Sequence, residues 1–209
     1  MIFVEVMQEE KETIIDLPII NNMSISTFSD ISDTLVWYYE SVKFIYDRGL
    51  MAGTSGGYFG PETITNRGMI VQILYKLAGS PAVTGTNFTD VTSIDYYANA
   101  VAWASSVGVS TGTGNNQFSP NKDMSREELV VMLYAYEKIY GNGGFTGMWS
   151  FPLDFSDGNH ISDWAYEATA WCFMNGIIVG REGNTFDPQG SAKRCEVAQI
   201  LKNFIEFYS

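Results

Sequence analysis

Gly176-IIVGREGNTFDPQGSAK-Arg194 is the stretch whose reading decides the fold, because its skeleton occurs three times in the chain. By spacing it is Gly, three residues, Gly, five residues, Phe-x-Pro, five residues, Arg. The first copy places these at Gly49, Gly53, Phe59, Pro61 and Arg67, and the second at Gly108, Gly112, Phe118, Pro120 and Arg126. The third has Gly176, Gly180, Phe186, Pro188 and Arg194, and no copy contains a gap. A Phe-x-Asp precedes each: Phe28 and Asp30, Phe88 and Asp90, Phe155 and Asp157. Self-similarity at a period of roughly 50 to 60 residues marks tandem units that stack to bury a shared core. A unit of about 55 residues is marginal alone, so three units around one core is the favourable arrangement.

Outward from the skeleton, each unit reads as helix, ordered loop, helix, with little strand. In the first, Val42 and Ile45, flanked by Tyr38 and Phe44, give an apolar face at helical spacing that Gly49 ends. A second helix from about Asn66 carries Ile70, Ile73, Leu74 and Leu77 inward. The second unit repeats this with a helix from about Asp95 (Tyr97, Val101, Ala104) ending at Gly108, and a helix opening on Ser125-Arg-Glu-Glu128, the pattern of a capping box. Leu129, Met132, Leu133 and Tyr136 form its inner face. In the third, a helix from about Asp163 carries Ala168, Trp171 and Cys172, and a closing helix carries Val197, Ile200, Leu201 and Phe204. Residues 1–27 match no unit and read as a linker or the remnant strand of a preceding domain. The units span 28–84, 85–141 and 155–209. The insert 142–154 is glycine-rich and aromatic, with Trp149 and Phe151 either stapling the loop down or covering a groove.

Composition sets limits on function. The 209 residues are 45% hydrophobic and 17% charged, which suits a folded chain, and no apolar run approaches the length needed to span a bilayer. The formal net charge of −12 disfavours nucleic acid and anionic membrane surfaces, both of which select basic faces. With no basic segment leading an apolar stretch at the start, no signal peptide is visible, and the chain reads as one end of a longer protein with a covalently attached N-terminal domain. The two cysteines, Cys172 and Cys195, are either buried thiols or a bridge between two helices. His160 is the only histidine, so a Ser-His-Asp triad or a histidine-rich metal site is poorly supplied, and nothing calls for a cofactor. The carboxylates Glu127/Glu128 and Asp154/Asp157/Asp163 are better read as caps and loop acids than as a glycosidase pair.

Each skeleton Arg lies in the first turn of its unit's second helix. Free amides and the positive end of the helix dipole favour an anion there, and a guanidinium grips a carboxylate with two parallel bonds. Twelve residues before the first Gly of each copy stands Trp37, Tyr96 or Trp164. Flat aromatic faces suit the apolar side of a sugar ring. The structural alternative is that the Arg pairs with its own unit's Asp and the aromatic is core.

These pieces together, FSD, W, GLMAG, FGP and TNRGM, then FTD, Y, GVSTG, FSP and MSREE, then FSD, W, GIIVG, FDP and AKRCE, resemble the S-layer homology module of bacterial cell-surface proteins. The likeness covers residues 28 to 209. It implies a mainly α fold, a pseudo-three-fold spindle in which three helices form a central bundle and grooves lie between neighbouring repeats. It further implies non-covalent anchoring at the bacterial cell surface, outside the cell, to a secondary cell-wall polysaccharide through a pyruvate ketal on N-acetylmannosamine. By that resemblance Arg67, Arg126 and Arg194 hold the carboxylate, and Gly49, Gly108 and Gly176 let the backbone approach the sugar. Trp37, Tyr96 and Trp164 wall the grooves, while Asp30, Asp90 and Asp157 fix the loop or reach a hydroxyl. The chain departs from the family pattern at Gly68-Met69, where a capping glutamate is missing, at Lys193 in place of a capping Thr or Ser, and at Tyr96 and Ser110-Thr111. One or two competent grooves are therefore expected. The alternative is a degenerate module serving as a spacer or a protein-binding surface.

Overall fold

The computed structural model describes residues 18–19, 25, 28–145 and 151–208. Its six α-helices come in three pairs: α1 (Tyr39–Asp47) and α2 (Arg67–Leu77), α3 (Ala98–Val107) and α4 (Arg126–Tyr140), α5 (Asp163–Met174) and α6 (Arg194–Glu206). Among the described residues two short 3-10 helices (Ser55–Gly57 and Gly158–His160) and isolated β-bridges accompany them, so the chain is mainly α as expected. The strand expected near the N-terminus, and Trp149 of the insert, lie outside the described residues.

Local chemistry sets the helix ends. Ser125 accepts the Glu128 amide at 3.2 Å while the Glu128 carboxylate accepts the Ser125 amide at 3.2 Å, completing the capping box of α4. Asn66 caps α2 through the Met69 amide at 2.9 Å, with no returning glutamate. Lys193 offers α6 no acceptor, and only the Glu196 carboxylate closes back, onto the Lys193 amide at 3.0 Å. Gly108 adopts φ +88° to end α3, a conformation that needs no Cβ. α3 begins three residues later than the sequence implies, because the Asp95 carboxylate is taken by the Thr92 amide and hydroxyl in a turn of its own.

The inward faces are the expected ones: Val42, Ile45, Ile70, Leu74, Val101, Ala104, Leu129, Leu133, Val197, Leu201 and Phe204 are all buried. Which helices meet was not predictable from the unit plan. Most of the helix contact joins α3 to α2, α5 to α4 and α1 to α6, so each first helix packs on the second helix of the preceding repeat, and the last repeat closes on the first. The two helices of one repeat are therefore not a hairpin.

The segments leading into the second helices meet at a closed ring of three backbone bonds. The Thr65 amide donates to the Ala192 carbonyl, Ala192 to Met124, and Met124 back to Thr65, each at 2.9 Å. All three residues are fully buried and each lies two positions before a skeleton Arg. Buried amides need partners, and these three satisfy one another only if all three repeats are in place. The insert is stapled on its described side: Phe151 packs on the Phe173 ring at 6.4 Å and its carbonyl accepts Tyr166 Oη at 2.8 Å. Cys172 and Cys195 are both buried free thiols, not a bridge.

At Gly68 the joint between repeats is so close that a Cβ would sit 2.8 Å from Tyr97 Cδ1 and 3.2 Å from the Pro120 carbonyl oxygen. Alanine is the better helix former by about 1 kcal/mol, but Tyr97 is buried and the oxygen is backbone. Gly68→Ala is therefore expected to destabilise by roughly 1–3 kcal/mol despite its propensity, read as a lower midpoint in urea unfolding.

Candidate functional site

The skeleton first builds joints between repeats. Arg67 Nε donates to the Phe118 carbonyl at 3.1 Å, Arg126 to Phe186 at 2.7 Å, and Arg194 to Phe59 at 2.9 Å. Each Arg thus reaches the Phe-x-Pro of the next repeat in the cycle, its guanidinium 4.5–5.3 Å from the centroid of that Phe ring. All three Arg are about 95% buried. The same repeat's Asp is not the partner. Asp30, Asp90 and Asp157 instead use both carboxylate oxygens to hold the two amides that open each Phe-x-Pro, at 2.7–2.9 Å. These bonds fix the loop.

The expected free amides at the second helices are also engaged. The first two amides of α2, α4 and α6 donate to backbone carbonyls of the next repeat: Arg67 to Lys122 and Gly68 to Pro120, Arg126 to Gly190 and Glu127 to Pro188, Arg194 to Thr63 and Cys195 to Pro61. Packing of one repeat on the next has consumed the groups that would have drawn an anion. Nη2 of each guanidinium is held too, by Ser110 Oγ for Arg67, the Val179 carbonyl for Arg126 and the Ala52 carbonyl for Arg194, so the Nη1 atoms are what remains.

Those nitrogens differ among the grooves. Arg67 Nη1 lies 3.9 Å from Glu128, and Arg126 Nη1 lies 3.6 Å from Glu196. Burial lowers the pKa of all three guanidiniums, with these carboxylates opposing it for Arg67 and Arg126. Glu196 is shared: Arg181 binds it through Nε and Nη2, both at 2.8 Å, and pairs through Nη1 with Asp187. Arg181 was missed from the sequence, although its counterparts Thr54 and Thr113 mark it as the odd member of three aligned copies.

The aromatics are not core. Trp37, Tyr96 and Trp164 are 61%, 61% and 57% exposed. A cavity of about 680 Å³ brings Trp37 together with Arg126, Arg181, Lys193, Glu196, Gln199, Asn203 and the turn through Val179-Gly180. A groove is therefore assembled from three repeats: the Arg of one, the glycine turn and second helix of the next, and the aromatic of the one after. By position in the repeat, the same register pairs Tyr96 with Arg194 and Trp164 with Arg67, and the Arg194 charge is felt at Tyr96. The Tyr96 phenol is raised by desolvation and then by Tyr97, while the nearby Arg194 charge works the other way. Gly49, Gly108 and Gly176 take φ +66°, +88° and +68° at the helix ends, and a Cβ at Gly108 or Gly176 would point into open space.

The S-layer homology domain profile matches residues 27–68, 87–130 and 154–198, one match per repeat. The chain belongs to the S-layer homology domain family. It is 33% identical over 186 residues to an amylopullulanase of Thermoanaerobacterium thermosulfurigenes, covering 86% of this chain and 10% of that protein. It is 32% identical over 186 residues to the exoglucanase XynX of Acetivibrio thermocellus, covering 86% of this chain and 16% of that protein. A surface-layer 125 kDa protein of Lysinibacillus sphaericus is 25% identical over 193 residues, covering 91% of this chain and 16% of that protein. The chain thus spans between a tenth and a sixth of these relatives. One S-layer homology region is shared by proteins named as enzymes and proteins named for the surface layer, which is the distribution of an anchoring module. The family and its surface-layer members place this chain outside the cell, at the surface and associated with the wall. No helix among the described residues is long and apolar enough to cross a membrane.

Two expectations follow from the joints. Arg126→Ala leaves the Phe186 and Val179 carbonyls short of a donor and removes a cation 3.6 Å from Glu196. It is expected to cost on the order of 3 kcal/mol, whereas Trp37→Ala stays within about 0.5 kcal/mol of the parent, both by urea unfolding. Burial alone would raise the Glu196 carboxyl, but its bonds from Arg181 and the Lys193 amide, with the Arg126 charge, hold it below its ordinary value. A depressed folded pKa means the Glu196 contribution is present above the unfolded value of about 4.3 and is lost as pH falls through the folded one. Glu196→Gln should therefore flatten the loss of stability below about pH 4.5, measured as melting temperature against pH.

Proposed function

We propose that this chain is a non-catalytic module that anchors the protein carrying it to the bacterial cell wall, by binding a pyruvylated secondary cell-wall polysaccharide in the grooves between repeats. The observation that carries this reading is the threefold recurrence of an exposed aromatic at one register position, in one case on a cavity with two Arg, a Lys and two side-chain amides. Burying an aromatic would stabilise the fold, so leaving all three in solvent at one register position, with Trp37 on a cavity, supports a ligand. A pyruvate ketal on a sugar offers a carboxylate for the cations and an apolar ring face for the aromatic, while Gln199 and Asn203 match hydroxyls. The open space at Gly108 and Gly176 leaves room for a sugar against the backbone. Arg67, Arg126 and Arg194 would then act through Nη1 while their Nε and Nη2 atoms hold the fold.

The spacer reading would gain from three Arg neutralised internally and three buried aromatics. Among the described residues Arg67 and Arg126 have an ion-pair partner and Arg194 has none, and none of the three aromatics is buried. Because the Arg are structural, the aromatics are the cleaner probe. Co-sedimentation with cell-wall sacculi, native or stripped of the pyruvylated polymer, is expected to show binding only to the native wall. At least one of Trp37→Ala, Tyr96→Ala and Trp164→Ala should weaken it about tenfold, equivalent to roughly 1.4 kcal/mol. A folded protein that binds both preparations equally, or neither, would overturn the reading.

A further inference from the structure

The three grooves are built on one plan, and the third residue of each second helix decides their charge. That position is Glu128 in α4 and Glu196 in α6, where it faces Arg67 and Arg126 of the preceding repeat. In α2 it is Met69, and the preceding repeat in the cycle supplies Arg194. Among the described residues Arg194 has no ion pair, although it is as buried as its counterparts. Its Nε and Nη2 are held by the Phe59 and Ala52 carbonyls, at 2.9 and 2.6 Å. Asp30, the acid whose charge reaches it, already spends both oxygens on the Phe59 and Gly60 amides.

A second cation enters the same groove. Asn203 lines the Arg126 cavity, and the residue in its register in α2 is Lys76, while α4 has Ala135. Lys76 Nζ donates to the Gly49 carbonyl at 2.8 Å, so Lys76 and Arg194 hold the same turn, Gly49 to Ala52. A buried guanidinium with no ion pair among the described residues, and only the already bonded Asp30 charge near it, is costly, and an incoming carboxylate relieves that cost. The other two grooves have relieved it internally: Lys122 and Arg67 share Glu128, and Arg181 and Arg126 share Glu196.

We propose that the Arg194 groove, walled by Tyr96 and charged by Lys76, is the strongest of the three sites for a carboxylate-bearing sugar, and that Met69 is the residue that makes it so. This inference rests on the anchoring reading and says which groove dominates and why. A glutamate at position 69 would face Arg194 as Glu128 faces Arg67, filling the site from within. It would also complete a capping box with Asn66, and Met69 is only half-buried, so the change favours the helix. Met69→Glu should therefore raise or hold the melting temperature while weakening binding, a combination that mere structural damage would not produce.

The test is titration calorimetry of this chain with a pyruvylated N-acetylmannosamine glycoside, using the unpyruvylated sugar as control. Met69→Glu is expected to weaken binding of the pyruvylated sugar at least tenfold with no loss of stability, and Lys76→Gln to weaken it severalfold. Met69→Gln, which carries no charge, should bind as the parent does. If Met69→Glu binds like the parent while Trp37→Ala or Trp164→Ala abolishes binding, the dominant groove lies elsewhere and this inference fails with the anchoring reading intact. If the parent binds neither the pyruvylated sugar nor pyruvylated sacculi, the anchoring reading itself fails and takes this inference with it.

Discussion

Everything in this molecule depends on a ring of three buried backbone hydrogen bonds, Thr65 to Ala192 to Met124 and back to Thr65. A ring of this kind has no partial form: with one repeat absent, a buried amide and a buried carbonyl lose their partners together. It also sets direction. The amides just past each ring residue can reach only one neighbour, so each second helix is capped by the Phe-x-Pro loop of the following repeat rather than its own. Cyclic packing of α3 on α2, α5 on α4 and α1 on α6 follows from that handoff.

The skeleton residues are the two halves of that handoff. The Phe-x-Pro loop presents carbonyls at Phe and Pro, and the Arg and its successor bring the donors. The Asp upstream holds the loop amides so that the carbonyls face outward to the neighbour. The Phe of Phe-x-Asp then packs under the loop, its ring 5.5–5.9 Å from the ring of Phe59, Phe118 or Phe186. Spacing is therefore strict in all three copies because one joint is made three times. Grooves are what such a joint leaves over, since the first helix of each repeat leans on one neighbour and its leading turn stands beside another.

The repeat, the helix–loop–helix plan and the inward faces were legible because they are local: periodicity, caps and glycine stops act within a dozen residues. The partnership between copies was not, because three identical motifs give no sign of which copy meets which. For this reason the pairing of each Arg with its own Asp could be entertained, whereas each Nε is bonded to the next repeat's loop. The free amides expected at the second helices failed in the same way: an Arg beside a capping residue reads alike whether its amides face solvent or a neighbour's carbonyl. Trp37, Tyr96 and Trp164 could be read both ways from sequence. Their exposure is set in part by the turns before α1 and α3, where Asp33 and Asp95 bind nearby amides and hold the aromatic outside the helix.

Because the joints are made mostly of backbone groups, side chains that line the grooves are free to diverge without loss of the three-fold plan. The position after each Arg carries Gly68, Glu127 or Cys195, and each solves a different local problem. Gly68 admits the Tyr97 ring, Glu127 accepts the Ser162 amide and hydroxyl, and Cys195 lies against Glu62. One residue further on, Met69, Glu128 and Glu196 diverge where the consequence is electrostatic rather than steric. A carboxylate there has the choice of completing a cap and neutralising a neighbour's Arg at once, as Glu128 and Glu196 do. Losing it removes both at a single site, yet the backbone ring and the Arg-to-carbonyl bond persist, so the fold tolerates the loss. An architecture of equal joints thus produces unequal grooves, the Arg194 groove being the one whose Arg has no ion pair among the described residues.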